Sequence, residues 1–291
     1  MLRSRSWWRR SAAGGGGGGG GLPLDAVQGI VLAAYSYQRR LFSNFTGIPY
    51  RMRNTNNNAT ADVVFTGDAV NLADIDAFSP AGHTVVVDTA WFDQSGNNNH
   101  ASVVGNVSIT NIALGSYAGM RCGDSDYFEL PAGLYSGRTS GAIFGLFAAP
   151  AWTSRAYWIS PDIGTPYHPY EDWNIYDNFL STSRPNLGNM TGFSGDSAEW
   201  RLQTVQQTGT QLVARWNDAL VGQAAATFSA TLTTRRIQPP RGWEFVLLSR
   251  NPTPEEREYI AAALLWGKYG DGSKLPEGHT YRNAAPVALP A

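Results

Sequence analysis

Polar and ionisable side chains gather at two places in the chain where their types and spacing could do chemistry. The first is TAWFDQSGNNNH, Thr89 to His100. Oxygen-bearing side chains spaced along a turn can hold a cation. A calcium loop counted from Asp93 needs a glutamate at its twelfth position, and that position is Val104. The competing reading is a structural turn. Asp93, Ser95 and Asn97 carry short polar side chains that bond to nearby backbone, and Gly96 accepts a positive φ. The turn is the preferred reading, and no metal ligand set is assigned.

The second place lies between Trp152 and Phe179. Trp152, Tyr157, Trp158, Tyr167, Tyr170, Trp173, Tyr176 and Phe179 alternate there with Asp162, His168, Glu171, Asp172 and Asp177. Aromatic faces offer apolar area at low entropic cost, and neighbouring acids can bond sugar hydroxyls. Trp152, Tyr167, His168, Tyr170, Glu171, Trp173 and Tyr176 are therefore candidate glycan or partner contacts. The alternative is that these rings fill a core. Other chemistries find no footing. His83, His100, His168 and His279 lack metal-ligand spacing, there is no GxSxG or phosphate loop, and Cys122 stands alone. No cofactor is implied.

These residues must be positioned by strands. From Thr84 the apolar period is two, in TVVVDTAWF, VSITNIA, YAGMRC, DYFELP, GAIFGLFAA and AYWIS, each bounded by turn residues. Two or three further strands fall in EWRLQTVQQTGTQLVARWNDALVGQ, with turns at Thr208-Gly209 and Asn217-Asp218, and a last one in GWEFVLLSR. Upstream, Asp25 reads as the N-cap of a helix through AVQGIVLAAYSYQRRL. ADVVFTG reads as a short strand and NLADIDAF as a short helix. TPEEREYIAAALLWGKYG predicts a closing helix with Thr253 as cap, Pro254 in its first turn and Gly270 past its end. The pattern is all-β: a two-sheet sandwich with short N-terminal helices and one closing C-terminal helix.

With 291 residues, 43% hydrophobic, the chain can bury a sizeable core, and Gly 32 with Pro 16 fits many turns. A formal net charge of −1 argues against nucleic-acid binding, and no window of about 20 residues is apolar enough for membrane insertion. One cysteine excludes an intrachain disulfide. Residues 1–24 form a separate unit. Arg3, Arg5, Arg9 and Arg10 surround Trp7 and Trp8 ahead of eight consecutive glycines, with no apolar run of the kind a signal peptide needs. The expected organisation is an anchoring arm over 1–24, a sandwich over 25–270 and a surface tail over 271–291.

Three stretches carry a family resemblance: AAYSYQRRLFSNFTGIPYRMRNTNNNATADVVF, then IDAF, then WFDQSGNNNHA. They resemble the opening of the catalytic domain of α-L-arabinofuranosidase B, a concanavalin A-like (laminin G-like) jelly roll whose opening recurs in bacterial and bacteriophage proteins. The likeness runs over about residues 26–270 and is strongest over 33–101. It implies a retaining glycosidase with two carboxyl groups about 5 Å apart. The family's nucleophile lies two residues before an Ile-Tyr pair. Here that pair is Ile175-Tyr176, and Trp173 takes the glutamate's place. The family's acid lies in a loop that corresponds to TLTTRRIQPPRGW, which contains no carboxylate, and the family's adjacent-cysteine disulfide is absent.

With both carboxylates displaced, the sequence reading favours a bacteriophage virion protein made in the host cytoplasm, a tail-fibre, baseplate or head-spike component. Its arm would dock on other virion proteins, and its lectin-like sandwich, as a homotrimer, would bind host surface polysaccharide. The alternatives are a glycoside hydrolase or depolymerase of arabinofuranosidase type, with Glu171 and Asp177 as relocated carboxylates, and a capsid decoration protein that binds no sugar.

Overall fold

The computed structural model describes residues 22, 24–80, 83–110, 119–123, 125–148, 159–161, 174–176, 186–189, 200–208, 210–225, 235–238, 242–286 and 289. The elements begin with a 3-10 turn, Asp25–Ile30, that leads into β1 (Val31–Ser36). Next come β2 (Tyr50–Asn54), β3 (Thr60–Asp62), β4 (Phe65–Thr66), β5 (Ala69–Val70), α1 (Leu72–Phe78), β6 (Val85–Trp91), β7 (Ala101–Val104), β8 (Ser108–Thr110) and β9 (Gly119–Arg121). The middle of the chain forms β10 (Tyr127–Leu130), β11 (Gly141–Ala148), β12 (Ile159–Pro161), β13 (Asn174–Tyr176) and β14 (Asn186–Asn189). The last elements are β15 (Trp200–Gln207), β16 (Gln211–Trp216), β17 (Ala219–Ala225), β18 (Arg235–Ile237), β19 (Gly242–Leu248) and α2 (Pro254–Tyr269).

The molecule is mostly β, with a large antiparallel sheet and few helices. Fifteen strands join in the order β12-β18-β10-β7-β6-β8-β9-β19-β11-β15-β16-β17, with β1 added on β19, β2 on β6 and β3 on β2. At the centre, β19 pairs with β11 and β1, placing Phe245 opposite Gly145 and Tyr35. Trp91 of β6 meets Phe245 at 5.8 Å and Phe128 of β10 at 4.9 Å, and Tyr35 packs against Trp91 at 5.6 Å. The core is thus an aromatic contact between residues far apart in sequence.

The helix expected through AVQGIVLAAYSYQRRL is not formed. A 3-10 turn occupies its start and β1 its middle. All six residues of β1 are buried, as are all seven of β19. A strand covered on both faces has no polar alternation, so its apolar run imitates a helical face. Asp25 still bonds backbone, accepting from Leu22 N at 2.6 Å and Ser43 N at 2.8 Å.

Where the local chemistry is specific, the elements end where it says they should. Asn71 caps α1 by accepting from Ala73 N. Thr253 and Glu256 make a reciprocal capping box on α2, Pro254 occupies its first turn, and Gly270 closes it at φ 77°. Asn217 and Asp218, at φ 47° and 71°, make the tight turn between β16 and β17.

Both ends of the chain's body are fastened. Leu24, assigned above to the arm, is fully buried, and its N–H donates to Leu41 O at 3.2 Å. The residues after α2 fold back on the helix: Leu275 is 1% exposed and Trp266 Nε1 donates to Tyr281 O at 2.8 Å. Gly272 lies so close to the Arg282 carbonyl that a Cβ would collide with it.

Candidate functional site

The Thr89–His100 stretch ends β6 and staples it to β1. Asp93 Oδ1 accepts from Ala34 N at 2.8 Å and Ser95 N at 2.9 Å. Oδ2 accepts from Ser95 Oγ at 2.8 Å and Asn99 N at 3.0 Å. Asn97 and Asn99 reach across to the β1 carbonyls, Asn97 Nδ2 to Val31 O at 2.8 Å and Asn99 Nδ2 to Leu32 O at 2.7 Å. Gln94 Oε1 takes Leu41 N at 2.8 Å, and Gly96 stands at φ 90°. Every oxygen of Asp93 is committed to a protein donor. The loop thus ties the end of β6 to β1, whose ladder partner is β19.

A second polar cluster sits between β1, β19 and α2. Glu244, fully buried, accepts from Arg39 Nε at 2.5 Å, Arg39 Nη2 at 2.7 Å and Ser36 Oγ at 3.1 Å. Arg39 Nη2 also donates to Ala263 O at 3.0 Å, and its guanidinium lies against Gly267, where a side chain would collide. Beside it, Lys268 Nζ stands 3.1 Å from the Trp243 ring centroid and 4.1 Å from that of Trp200. Burial pushes the Lys268 amine down to about 6, with Glu244 pulling the other way. The two indole faces at this distance favour the charged form of the amine, against the desolvation.

The register places this cluster at one end of the sheet. Gly242 at the start of β19 lies opposite Phe147 of β11 and Met120 of β9, and Ala148 lies opposite Trp200. The strand ends brought together here are Gly119, Ala148, Trp200 and Gly242. Gly119 fits there because a Cβ would stand 2.9 Å from the Trp200 ring and 3.0 Å from Gly242 O.

The third cluster ties the residues after α2 to the β16–β17 turn. Asp218 Oδ1 accepts from Arg257 Nε at 2.9 Å, His279 Nε2 lies 3.4 Å from Asp218 Oδ2, and Thr280 Oγ1 donates to Glu258 at 2.7 Å. Among the described residues the buried carboxylates are Asp93, Asp218 and Glu244. Each is engaged by protein donors or cations, and none is open to a substrate. A retaining glycosidase requires an accessible pair.

The chemistry-bearing residues read from the sequence fall elsewhere. Trp152, Tyr167, His168, Tyr170, Glu171, Trp173 and Asp177 lie outside the described residues, as do Arg3, Arg5, Trp7, Trp8, Arg9 and Arg10. Tyr176 belongs to β13, which pairs with β14 through Tyr176–Asn186 and Asn174–Asn189. Among the arginines near β1 and β2, Arg39 is buried, while Arg40, Arg51 and Arg53 make more exposed pairs with Asp68, Asp62 and Asp88. Sequence reasoning passed over Lys268, Trp200, Trp243 and Glu244. The available signal was Glu244, the one charge inside the apolar run GWEFVLL.

An all-β domain on a large antiparallel sheet is the class that this architecture defines. Within it, the family described as alpha-L-arabinofuranosidase B, catalytic, matches residues 26–121, roughly a third of the chain. That segment carries β1, the Asp93 loop and β6. No curated protein matches. Among solved structures, a GH54 α-L-arabinofuranosidase soaked with a cyclic sulfate inhibitor is 15% identical, with TM-score 0.51. An arabinofuranosidase complexed with arabinofuranosyl-α-1,2-xylobiose is 14% identical, with TM-score 0.54. A GH54 glutamate-to-glutamine mutant soaked with 4-nitrophenyl α-L-arabinofuranoside is 13% identical, with TM-score 0.52. In each case 83% of this chain is covered and 65% of the other, so the chain spans just under two thirds of those proteins. At such identity the likeness establishes fold.

These findings correct the expectation of a bacteriophage virion protein. The family match and the structural neighbours are arabinofuranosidases and point to an arabinofuranosidase-type glycoside hydrolase fold. Nothing in them supports a virion, tail-fibre or head-spike role. That expectation rested on the glycine-rich arm, the lack of disulfides and the displaced carboxylates, none of which bears on the body's architecture.

Proposed function

We propose that the chain is a glycoside hydrolase of the arabinofuranosidase type, built on a two-sheet concanavalin A-like jelly roll and acting on α-L-arabinofuranosides. The observation that carries this reading is the family match over residues 26–121, where the Asp93 staple and its strands lie. The buried carboxylates of the described residues serve the fold, so the candidate acids are taken from those that the sequence sets beside Ile175-Tyr176. Glu171 and Asp177 flank β13 in the chain, three residues before Asn174 and one after Tyr176. In this reading one is the nucleophile and the other the acid/base, about 5 Å apart in the working site. Trp152, Tyr167, Tyr170, Trp173 and Tyr176 supply the faces on which a sugar ring rests.

The test is release of 4-nitrophenol from 4-nitrophenyl α-L-arabinofuranoside by the full chain, with Glu171→Gln and Asp177→Asn beside it. Turnover by the wild type that falls at least about a hundredfold in both variants is the expected result. A folded wild type without turnover on this substrate and on arabinose-substituted xylan overturns the reading. Turnover unaffected by either variant overturns the residue assignment.

A further inference from the structure

Gln203 of β15 breaks a rule that other buried glutamines keep. It is 1% exposed, yet neither its Nε2 nor its Oε1 finds a partner within the protein. Gln94 and Gln206, also buried, have both amide atoms bonded: Gln94 to Leu41 N and Arg39 O, Gln206 to Asn251 and Arg215. A buried amide without partners has given up its hydration for nothing and destabilises the fold. Such a group calls for a use outside the fold.

The strand register shows where this amide lies. Directly opposite residues of antiparallel strands share a face. Phe245, Gly145, Gln203, Trp216 and Ala219 therefore form one row across β19, β11, β15, β16 and β17. Phe245 is fully buried against Trp91, whereas Trp216 is partly exposed and Ala219 is exposed. The row thus runs from the core out to the sheet edge, and Gln203 is its last buried member. On the core side Gly145 has no side chain to bond the amide. On the edge side stands the Trp216 indole, with the Phe147 ring 5.9 Å from it. The adjoining row, Val205, Ala214 and Gly222, shrinks toward the same edge.

A primary amide sets donors and an acceptor side by side. That pattern matches two adjacent hydroxyls of a sugar, one accepting from Nε2 and the other donating to Oε1, while an indole face covers the C–H surface of the ring. We propose that Gln203 and Trp216 form a sugar subsite, entered from the β17 edge, that holds the 2- and 3-hydroxyls of an arabinofuranosyl unit. The identity of the sugar rests on the hydrolase reading; the existence of the subsite rests on the Gln203 amide and its row.

The experiment joins binding to stability. The full chain is titrated with methyl α-L-arabinofuranoside, followed by tryptophan fluorescence, and is unfolded thermally, as wild type and as Gln203→Leu. Leucine keeps much of the volume and removes both amide atoms. The two readouts should move in opposite directions. Gln203→Leu should raise Tm by about 2 °C or more, because the unpartnered amide is gone, and should weaken binding at least about tenfold. Trp216→Leu should weaken binding as well.

An amide that serves the fold gives the reverse, a lower Tm or a variant that does not fold, and either result overturns the proposal. Unchanged binding in Gln203→Leu overturns it too, as does a folded wild type that does not bind the glycoside. Turnover judges the hydrolase reading separately. A wild type that binds the sugar without hydrolysing it sinks that reading and leaves the subsite. Turnover with a KM unmoved by Gln203→Leu sinks the subsite and leaves the reading.

Discussion

Asp93 illustrates how a single side chain can hold two strands. Its two oxygens satisfy four donors, drawn from β1 and from its own loop, and it is 2% exposed. Asp93→Ala would leave those donors buried without acceptors, at about 1–3 kcal/mol each where water cannot reach. We expect a loss of about 3–5 kcal/mol in all, read as a fall in the denaturant midpoint with unchanged slope. Asp93→Asn keeps one acceptor oxygen and should lose less. Equal losses in the two variants would show that the loop does not depend on both oxygens. The polar residue types and the glycine of this loop were visible in the sequence. That their donors and acceptors would meet Val31, Leu32 and Ala34 was not, because a hydrogen bond across about sixty residues leaves no local spacing.

At the scale of elements, α2 and β1 make opposite cases. The ends of α2 are written in consecutive residues: Thr253 accepts from Glu256 N while Glu256 accepts from Thr253 N at 2.9 Å, and Gly270 takes the left-handed conformation. Thr253→Ala should cost about 1 kcal/mol. Arg250 draws the Glu256 carboxyl below its usual range, with the Thr253 N–H adding to the effect. This contribution is present above the unfolded carboxyl's range and is lost as pH falls through the folded value. The cost of Thr253→Ala should therefore shrink in acid, measured by thermal unfolding at pH 7 and pH 3. A penalty constant with pH would separate the cap from the carboxyl. β1 is the contrary case. Its residues are buried at every position and apolar from Val31 to Tyr35, a run that local periodicity cannot assign, and only its pairing with β19 makes it a strand.

At the scale of the whole molecule, the last residues close the fold. Leu275, His279, Thr280 and Tyr281 are set on α2 and on the β16–β17 turn by packing, the Asp218–His279 contact and the Trp266–Tyr281 bond. Ending the chain at Gly270 uncovers that face of α2 and strips Asp218 of one partner. Loss of the buried Leu275 side chain alone is worth about 2 kcal/mol. We expect the truncated chain to unfold at clearly lower temperature, by several degrees; an unchanged Tm would show that this packing is dispensable.

The sequence by itself determined the all-β class, the closing helix with both of its ends, the turns at Asn217-Asp218 and in the Asp93 loop, and the likeness to arabinofuranosidase B. These are local properties, set by which backbone angles a residue tolerates and which side chains reach nearby peptide groups. The tertiary structure alone decided that the start of the body is a strand, that Arg39 and Glu244 are buried together 205 residues apart, and that Lys268 ends up on two tryptophans. Those outcomes depend on desolvation, and whether water is excluded from a side chain is settled by what the rest of the chain packs around it.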